Sequence, residues 1–500
     1  MDHVVRPGIC MTKRSQPHPH PKRSAAFTPT PNSPATVSSD LFPSLGSSWP
    51  FLAETETVVF SMVPGYTGAS HFPPRRYDRL GGQSCGHPCQ PAAGVGHLNF
   101  LGWPPKSQLY PRRMLPVIDQ KFYRFPQALL LAIFASVLSS APAKAMDRSE
   151  IAIPDVLGYH TLKCDFHMHT VFSDGLVWPT VRPIEAWRDG LDAISITDHI
   201  EYQPHRGDIP TKHDRPYEIA KPTADNNHVI LIRGSEITRA MPPGHINGIF
   251  LTDCSALATD KWEDAVQAAA DQGAFIFWNH PGWTGQQPDG VARWYEEHSM
   301  LLEKGLLHGI EVVNHTSYYP EAHRWCLEHG LAMLSNSDVH PPIDHSFEPM
   351  SGEHRPVTLV FSKSRDAEGI HEALSAARTA VYHQDKIIGK EDFLQAIFDA
   401  TVTVKFSEID LRAGQTTNLQ VHNACEVPYR LKLREASEFL ESPGSITLPA
   451  GKSVLVRVKA KNNATAEPTE IALDYEVENL LVAPDEGCPV TLKLKGIIRE

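Results

Sequence analysis

The stretch of sequence that decides the fold is CDFHMHTVFSDG, residues 164–175. Apolar and polar residues alternate from Leu162 to His169, which is the period-two pattern of a β-strand. His167 and His169 therefore leave the same face of that strand. Because imidazole is the commonest metal ligand, two on one face are candidate ligands of one ion. In a chain with 26 histidines such a pair also arises by chance, so the rest of the sequence has to decide.

Four further strand-like runs end in residue types that bind metal ions. These runs lead into Asp198-His199, Glu236, His280 and Asp338-Val339-His340. Several are preceded by a helix-like segment closed by glycine, a common helix stop signal. The repeated order of helix, glycine, apolar strand and ligand predicts β/α units around parallel strands. Since such folds form their sites at the carboxyl ends of the strands, we expect these residues to meet there.

Taken in order, these motifs resemble the polymerase and histidinol phosphatase (PHP) superfamily of metal-dependent phosphoesterases. Between about residues 160 and 385 the chain has His-x-His, a following acid, Thr-Asp-His, Gly-x-Glu, Gly-His, His-Pro and Asp-x-His. The resemblance implies a distorted seven-stranded β/α barrel that holds up to three divalent ions. Segments 355–361, 370–374 and 387–391 resemble the exported phosphodiesterase branch of Gram-negative bacteria.

The resemblance also distributes nine side chains among three ions. It implies that the first ion is held by His167, His169, Glu236 and Asp338. It implies that Glu236 bridges to a second ion bound by His245 and His280, and that the third is bound by Asp174, His199 and His340. Bridging suits a carboxylate, because its two oxygens and full charge offset two neighbouring cations. For Asp174 in Ser-Asp-Gly, a turn-forming role is the alternative. The mixture of ligands leaves two or three ions of manganese, zinc or iron open.

Polar residues next to these ligands are candidates for catalysis and substrate binding. Asp198 either orients a ligand or caps a strand end, and His205 or Asp198 (through a water) is the candidate acid for the leaving group. Phosphate oxygens are expected to contact cationic residues of the loop after His199 or of other strand ends, with a solvated loop as the alternative. These candidates are Arg206, Arg215, Arg239 and His315. Trp278, Trp283 and Phe275 are expected to pack rather than to recognise substrate.

The first 145 residues are not predicted to contribute to a folded core. Residues 1–113 are rich in proline, serine and glycine, a composition that cannot bury one. Basic residues from Arg112, an apolar run at 128–138 and the sequence Ala-Lys-Ala at 143–145 are typical of a secretory signal peptide. We therefore predict translation from Met114, export to the periplasm, and a mature chain from about Met146 without a stable membrane span. A disordered arm ending in an internal anchor is the alternative.

Charge and cysteine content narrow the class of protein further. The net charge of −12 argues against a general nucleic-acid binder, which normally carries a basic surface. None of the eight cysteines has the Cys-x-x-Cys spacing of a zinc ribbon. Cys425 and Cys488 are candidates for a disulfide in an oxidising compartment, and Cys164, Cys254 and Cys326 are expected to be buried thiols.

From about residue 396 the sequence changes to short alternating strands separated by turns, which is typical of an immunoglobulin-like β-sandwich. The predicted fold class is therefore α/β, a distorted seven-stranded β/α barrel followed by a small all-β sandwich. The predicted domains are an extension (1–113), a signal peptide (114–145), a PHP metallo-phosphoesterase domain (146–395) and the sandwich (396–500). The sequence leaves the role of the sandwich and the oligomeric state open.

The predicted function is that of an exported phosphodiesterase that hydrolyses small organic phosphate diesters. In this hypothesis a metal-activated hydroxide attacks phosphorus. A phosphomonoesterase of the histidinol phosphatase type is the first alternative, since the same ligands serve both and only the substrate loop discriminates. A non-enzymatic metal-binding surface protein is the second alternative, which the sandwich alone supports.

Overall fold

The computed structural model describes residues 147–348, 352–465 and 467–500. The predicted extension (1–113) and signal peptide (114–145) lie outside the described residues. The described residues form a mixed α/β domain followed by an all-β domain. In the part of the chain that the structure describes, no helix has the length and apolar character needed to cross a bilayer.

The α/β domain alternates strands and helices, as the sequence pattern predicts. Its helices are α1 (Val181–Arg188), α2 (Arg215–Asn226), α3 (Trp262–Ala270), α4 (Glu296–Glu303), α5 (Pro320–His329), α6 (Ala367–Ser375) and α7 (Glu391–Thr401). Its strands are β1 (His160–Asp165), β2 (Ala193–Ile196), β3 (Ile230–Ile237), β4 (Ile246–Ile249), β5 (Phe275–Trp278), β6 (Gly309–Asn314), β7 (Ser317–Tyr318), β8 (Ala332–Asn336), β9 (Val357–Ser362), β10 (Thr379–His383) and β11 (Lys386–Gly389). Short 3₁₀ helices span Cys254–Leu257 and Ile343–His345.

One reversed strand interrupts the parallel part of the sheet. β1, β2 and β3 pair in parallel, and so do β5, β6 and β8. Between these two groups, β4 runs antiparallel to both β3 and β5. The amino end of β4 therefore lies at the edge where the parallel strands have their carboxyl ends. Because β4 is reversed, His245, which precedes it, lies at the same edge as the residues that follow the parallel strands.

The predicted seven-strand count is not confirmed, because the α/β strands belong to a mixed sheet of 16 strands. β9 pairs antiparallel with β1, and β10 and β11 extend the sheet beyond it. β8 reaches β9 through a side chain, because the Thr358 hydroxyl accepts from Ser335 N at 2.8 Å and donates to Ser335 O at 2.9 Å. Most of these strands are buried along their whole length, as expected for parallel strands covered on both faces.

The all-β domain consists of two sheets whose inner side chains share one apolar cluster. Its strands are β12 (Val402–Lys405), β13 (Glu408–Arg412), β14 (Thr416–Asn423), β15 (Tyr429–Glu435), β16 (Leu440–Glu441), β17 (Ser445–Leu448), β18 (Ser453–Ala460), β19 (Thr469–Ala483) and β20 (Glu486–Arg499). β12, β14, β18 and β16 form one sheet, and β13, β20, β19, β15 and β17 lie in the other. β19 also pairs with β11, where Ile387 is opposite Leu480, so the second sheet continues into the α/β domain.

The suggested disulfide between Cys425 and Cys488 is wrong. Both residues are buried free thiols, as are Cys164, Cys254 and Cys326. Burial raises the pKa of the Cys425 thiol and raises that of Cys488 to about 12. These two cysteines therefore act as small apolar residues in the core of the all-β domain.

Candidate metal centre

Loops at one edge of the α/β sheet bring all nine predicted ligand side chains together. Each side chain offers one nitrogen or oxygen, and within each of four overlapping groups these atoms lie within 4.8 Å of one another. The groups are His169, Asp174, His199 and His340; His167, His169 and Asp338; His167, Glu236 and His280; and His199, Glu236 and His245. Most of these residues follow a strand or lie at its carboxyl end, whereas His245 immediately precedes the reversed strand β4.

The carboxylate of Glu236 is the centre of the cluster. Its Oε1 lies 3.0 Å from His245 Nδ1 and 3.6 Å from both His167 Nε2 and His280 Nε2. Its Oε2 lies 2.6 Å from His199 Nδ1. Glu236 is fully buried at the end of β3, so this single carboxylate contacts imidazoles from four different chain segments. A carboxylate shared in this way has the geometry needed to bridge two cations.

The remaining two carboxylates organise the other imidazoles. Asp338 Oδ1 lies 3.0 Å from His169 Nε2 and 3.3 Å from His167 Nε2. Asp174 Oδ1 lies 3.4 Å from His199 Nε2 and 3.2 Å from His340 Nε2. The His169 ring is stacked between those of His199 and His340, with centroid distances of 4.4 and 4.3 Å. The resemblance assigns His169 to the first ion, but this stacking also places it beside the residues assigned to the third ion.

The electrostatics of the cluster favour ionised carboxylates. Burial by itself would raise the pKa of Glu236, but the imidazoles of His199, His167 and His245 hold it well below its usual range. The pKa of Asp338 is lowered in the same way by His167 and His169, against the effect of burial. Three ionised carboxylates in a buried pocket attract cations.

Unpaired polar atoms test whether a metal ion fits the cluster. The buried polar atoms of the described residues that make no hydrogen bond include His167 Nε2, Asp174 Oδ1 and Glu236 Oε2, although each lies close to other atoms of the cluster. Buried polar atoms without partners are rare in folded proteins, because each costs about 1–3 kcal/mol. All three atoms belong to the overlapping groups of potential ligands. The nitrogen and oxygen donors therefore fit divalent ions such as zinc, manganese or iron.

Comparison with known proteins agrees with this geometry. The chain is 46% identical to a two-domain protein from Bacteroides vulgatus that contains a predicted PHP-like metal-dependent phosphoesterase, with a TM-score of 0.66. The match covers 70% of this chain and 99% of that one. This chain belongs to the PHP-like metal-dependent phosphoesterases. An Ig-like domain family model matches residues 402–493, so the all-β domain of this PHP-like protein is Ig-like.

Two other solved structures match more weakly. An amidohydrolase from Chromobacterium violaceum shares 17% identity over 36% of this chain and 88% of its own, with a TM-score of 0.27. A metal-dependent phosphoesterase from Bifidobacterium adolescentis shares 15% identity over 43% of this chain and 96% of its own, with a TM-score of 0.30. No curated protein matches the chain.

Glu311 of the PHP-like domain contacts the ligand cluster, although the sequence did not point to it. It is fully buried on β6. Its Oε1 lies 2.8 Å from His167 Nδ1 and accepts a hydrogen bond from Asn336 Nδ2 at 3.0 Å. Its Oε2 accepts from the backbone N–H of His280 at 2.7 Å and from Asn314 Nδ2 at 2.9 Å. Because a carboxylate only accepts, Nδ1 of His167 carries a proton, so Nε2 is the atom that would supply a lone pair to an ion in the cluster.

Arg182 is a second residue that the sequence did not reveal. Its buried guanidinium donates to the backbone carbonyls of His169, Val339 and His340 at 2.9–3.0 Å and forms an ion pair with Glu185. It thereby ties the loop after β1 to the loop after β8. Each of these two loops carries ligands, so Arg182 holds their relative position.

The carboxylate of Asp198 is hydrogen-bonded to the loop after β1. Its carboxylate accepts hydrogen bonds of 2.6 Å from the backbone N–H and hydroxyl of Thr170 and from the Ser173 hydroxyl. Both carboxylate oxygens are therefore occupied by donors that flank His169 and Asp174. This arrangement makes Asp198 an anchor for the ligand loop.

Two of the predicted substrate-binding arginines form ion pairs with glutamates. Arg215 forms an exposed ion pair with Glu218, and Arg239 pairs with Glu201 and donates to two backbone carbonyls. Arg206 is exposed and His205 is half-buried in the same loop. His315 lies at the end of β6 with its ring 5.0 Å from that of Phe347.

The packing prediction for the aromatic residues is confirmed for two of them and only in part for Trp283. Trp278 and Phe275 are buried, as expected, but the side chain of Trp283 is 46% exposed. Its ring lies 5.4 Å from that of His280 and 5.8 Å from that of His245. Trp283 is in the turn that follows His280, where its backbone N–H donates to the His280 carbonyl. It stands at the border of the ligand cluster because of this turn.

Proposed function

We propose that this protein is an exported, metal-dependent phosphodiesterase that hydrolyses small organic phosphate diesters. The observation that carries the proposal is the convergence of nine potential ligands around the buried carboxylate of Glu236. The distorted seven-stranded barrel is the proposed form of its α/β domain. Export is proposed from the signal-peptide pattern at 114–145.

The proposed ligand sets follow the overlapping groups of side chains. Two or three divalent ions (manganese, zinc or iron) would be held by His167, His169, Asp174, His199, Glu236, His245, His280, Asp338 and His340. When bound, such ions polarise phosphoryl oxygens and lower the pKa of coordinated water toward about 7. The residues behind the ligands keep them in place: Glu311 orients His167, and Arg182 joins two ligand loops.

The charge around the cluster supports a diester in preference to a monoester. Among the described residues, no lysine or arginine side chain forms an ion pair with any of the nine ligands. Arg215 and Arg239 are already paired with glutamates, so of the three candidate arginines only Arg206, which is exposed and forms no ion pair with the described residues, is free to neutralise substrate charge. A monoester dianion requires more positive charge from the protein than a diester monoanion does. This difference favours the diester as substrate.

His205 is the better of the two proposed acids for the leaving group. The carboxylate of Asp198 is fully engaged by Thr170 and Ser173, whereas the His205 side chain has no partner among the described residues. Replacement of His205 by Asn is expected to lower kcat on poor leaving groups more than on p-nitrophenolate, because the latter departs without a proton. A uniform loss on both would assign His205 to another role.

The direct test combines metal analysis with two assays. The chain, purified without chelator, is analysed for bound metal and assayed on bis(p-nitrophenyl) phosphate and p-nitrophenyl phosphate, with His167→Ala as control. We expect two or three equivalents of metal and metal-dependent turnover of the diester, both lost in the control. Turnover of the monoester alone would replace the proposal by a phosphomonoesterase. A chain beginning near Met146 in a periplasmic fraction would support export.

A further inference from the structure

Exposed aromatic side chains of the α/β domain are concentrated in the loops that carry ligands. Within its described residues three aromatic side chains are exposed: Trp178, Tyr202 and Trp283, at 49, 53 and 46%. Trp178 lies four residues after Asp174, while Tyr202 and Trp283 each lie three residues after a ligand. Large aromatic side chains are normally buried, so the exposure of rings next to potential metal ligands indicates a binding surface.

Two of these rings touch imidazoles of the ligand cluster. The Tyr202 ring lies 6.0 Å from that of His199, edge to face. The Trp283 ring lies within 6 Å of both His245 and His280. Because His199 and His245 are themselves in edge contact at 5.7 Å, Tyr202 and Trp283 border the same part of the cluster. A substituent on a phosphate bound there would lie within reach of these two rings.

The indole of Trp283 is held in position although it is exposed. A methyl group placed on Gly285 would come within 2.5–2.7 Å of three indole carbons, so the indole lies directly on the Gly285 backbone. The backbone carbonyl of Trp283 also accepts hydrogen bonds from the N–H groups of Gln286 and Gln287. The ring therefore loses little conformational entropy when a ligand packs against it. Preorganised binding surfaces gain affinity in this way.

We propose that Tyr202 and Trp283 bind a planar apolar group, such as an aryl ring, on the phosphate ester. The substrate class is then ring-bearing phosphate esters rather than short alkyl ones. Offset or edge-to-face packing of a ring against tyrosine and tryptophan supplies the preference, while the ligand cluster binds the phosphate. This inference rests on the proposed function, because it requires a phosphate group at the cluster.

Equilibrium binding of two phosphonates tests the inference without turnover. Phenylphosphonate and methylphosphonate present the same anionic group and differ only in the ring. Their dissociation constants are measured by calorimetry on the full chain, purified without chelator and with its metal content determined. We expect the wild-type chain to bind phenylphosphonate about tenfold more tightly. Tyr202→Ala and Trp283→Ala should each reduce that preference by about two- to tenfold, since aromatic contacts have about this strength.

Three further variants separate the ring contact from other effects. Trp283→Phe keeps a ring and should retain most of the preference. Gly285→Ala keeps Trp283 but displaces its indole, and should lower the preference. Phe406→Ala removes an aromatic side chain that is 84% exposed in the Ig-like domain, and should leave both constants unchanged. A fall in methylphosphonate affinity equal to that in phenylphosphonate affinity would overturn the inference, because the rings would then act only on the ligands.

The failure of this inference and that of the proposed function give different results. Turnover of bis(p-nitrophenyl) phosphate, measured on the same preparations, reports the proposed function. A phenyl preference that depends on Tyr202 and Trp283, in a chain with no turnover, would retain the ring-binding surface and reject the phosphodiesterase. Turnover without any phenyl preference in the wild-type chain would retain the phosphodiesterase and reject the ring-binding surface.

Discussion

Replacing Glu311 by Gln should weaken metal binding although no ligand is changed. The carboxylate accepts four hydrogen bonds, two on each oxygen. A glutamine of the same shape has only one oxygen. Because the backbone N–H of His280 can only donate, that oxygen has to remain there, and the new NH₂ group then faces His167 and Asn336.

Neither Asn336 nor His167 can accept a hydrogen bond from the new NH₂ group without losing another interaction. Asn336 cannot turn its oxygen toward the new NH₂ group, because that oxygen accepts from the backbone N–H of Phe166 at 2.8 Å. His167 can accept at Nδ1 only if its proton moves to Nε2, which removes the lone pair from the ligand cluster. The unmatched donors should destabilise the metal-free chain by about 1–3 kcal/mol. The displaced tautomer should lower metal affinity about 10- to 100-fold, or about 1.4–2.8 kcal/mol.

Two measurements separate these effects. Urea denaturation in the presence of chelator gives the free energy of unfolding, and titration in metal buffers gives the dissociation constant. Glu218→Gln, which removes an exposed carboxylate in the ion pair with Arg215, is the matched control and should change neither value appreciably. If Glu311→Gln bound metal within twofold of the wild-type chain, the role assigned to Glu311 would be refuted.

Three other perturbations have expected outcomes. Arg182→Met should lower the free energy of unfolding by about 3–5 kcal/mol, because it leaves Glu185 buried without its cation; urea denaturation measures this. Burial lowers the pKa of both His323 and His383 to about 4, so between about pH 6.5 and 4 the unfolded chain binds more protons than the folded chain. The free energy of unfolding from urea denaturation should therefore fall on acidification through that range, by about 1.4 kcal/mol per proton per pH unit. If free metal is present at 100 times the dissociation constant, its removal by chelator should lower the free energy of unfolding by about 2.7 kcal/mol per site. Thermal unfolding measures this loss, and near-ultraviolet circular dichroism should stay native. An unchanged urea midpoint across that pH range, or loss of the native spectrum on chelation, would contradict the last two.

Local sequence signals predicted that these side chains would meet at one edge of the sheet, because most of them lie at or shortly after the carboxyl end of a strand. The order of apolar strand and polar residue places His199, Glu236 and His280 at strand ends without any knowledge of long-range contacts. His245 is different, since it precedes β4, and only the antiparallel direction of β4 brings it to the same edge. Strand direction depends on the connections of the whole sheet, which periodicity does not reveal. His245 was therefore assigned from the resemblance to a family.

Residues that the sequence did not reveal depend on contacts distant along the chain. Glu311 stands alone in the apolar run of β6, and a charged residue inside a buried strand signals that a partner exists. Its principal side-chain partner, His167, lies 144 positions away, so the sequence could not identify it. Trp283 was predicted to pack because aromatic residues usually do, but the turn after His280 exposes it. The pairing of β11 with β19 is equally non-local.

Three buried carboxylates outside the ligand set share one structural role. Asp165 accepts from the backbone N–H of Ser337 at 3.1 Å, Asp198 from that of Thr170 at 2.6 Å, and Glu311 from that of His280 at 2.7 Å. Ser337 precedes Asp338, Thr170 follows His169, and His280 is itself a potential ligand. Each carboxylate therefore fixes the backbone of a ligand-bearing loop through hydrogen bonds that need no ion. Such anchoring reduces the ordering that metal binding would otherwise require, which is why the metal-free chain is expected to keep its ligand loops in place.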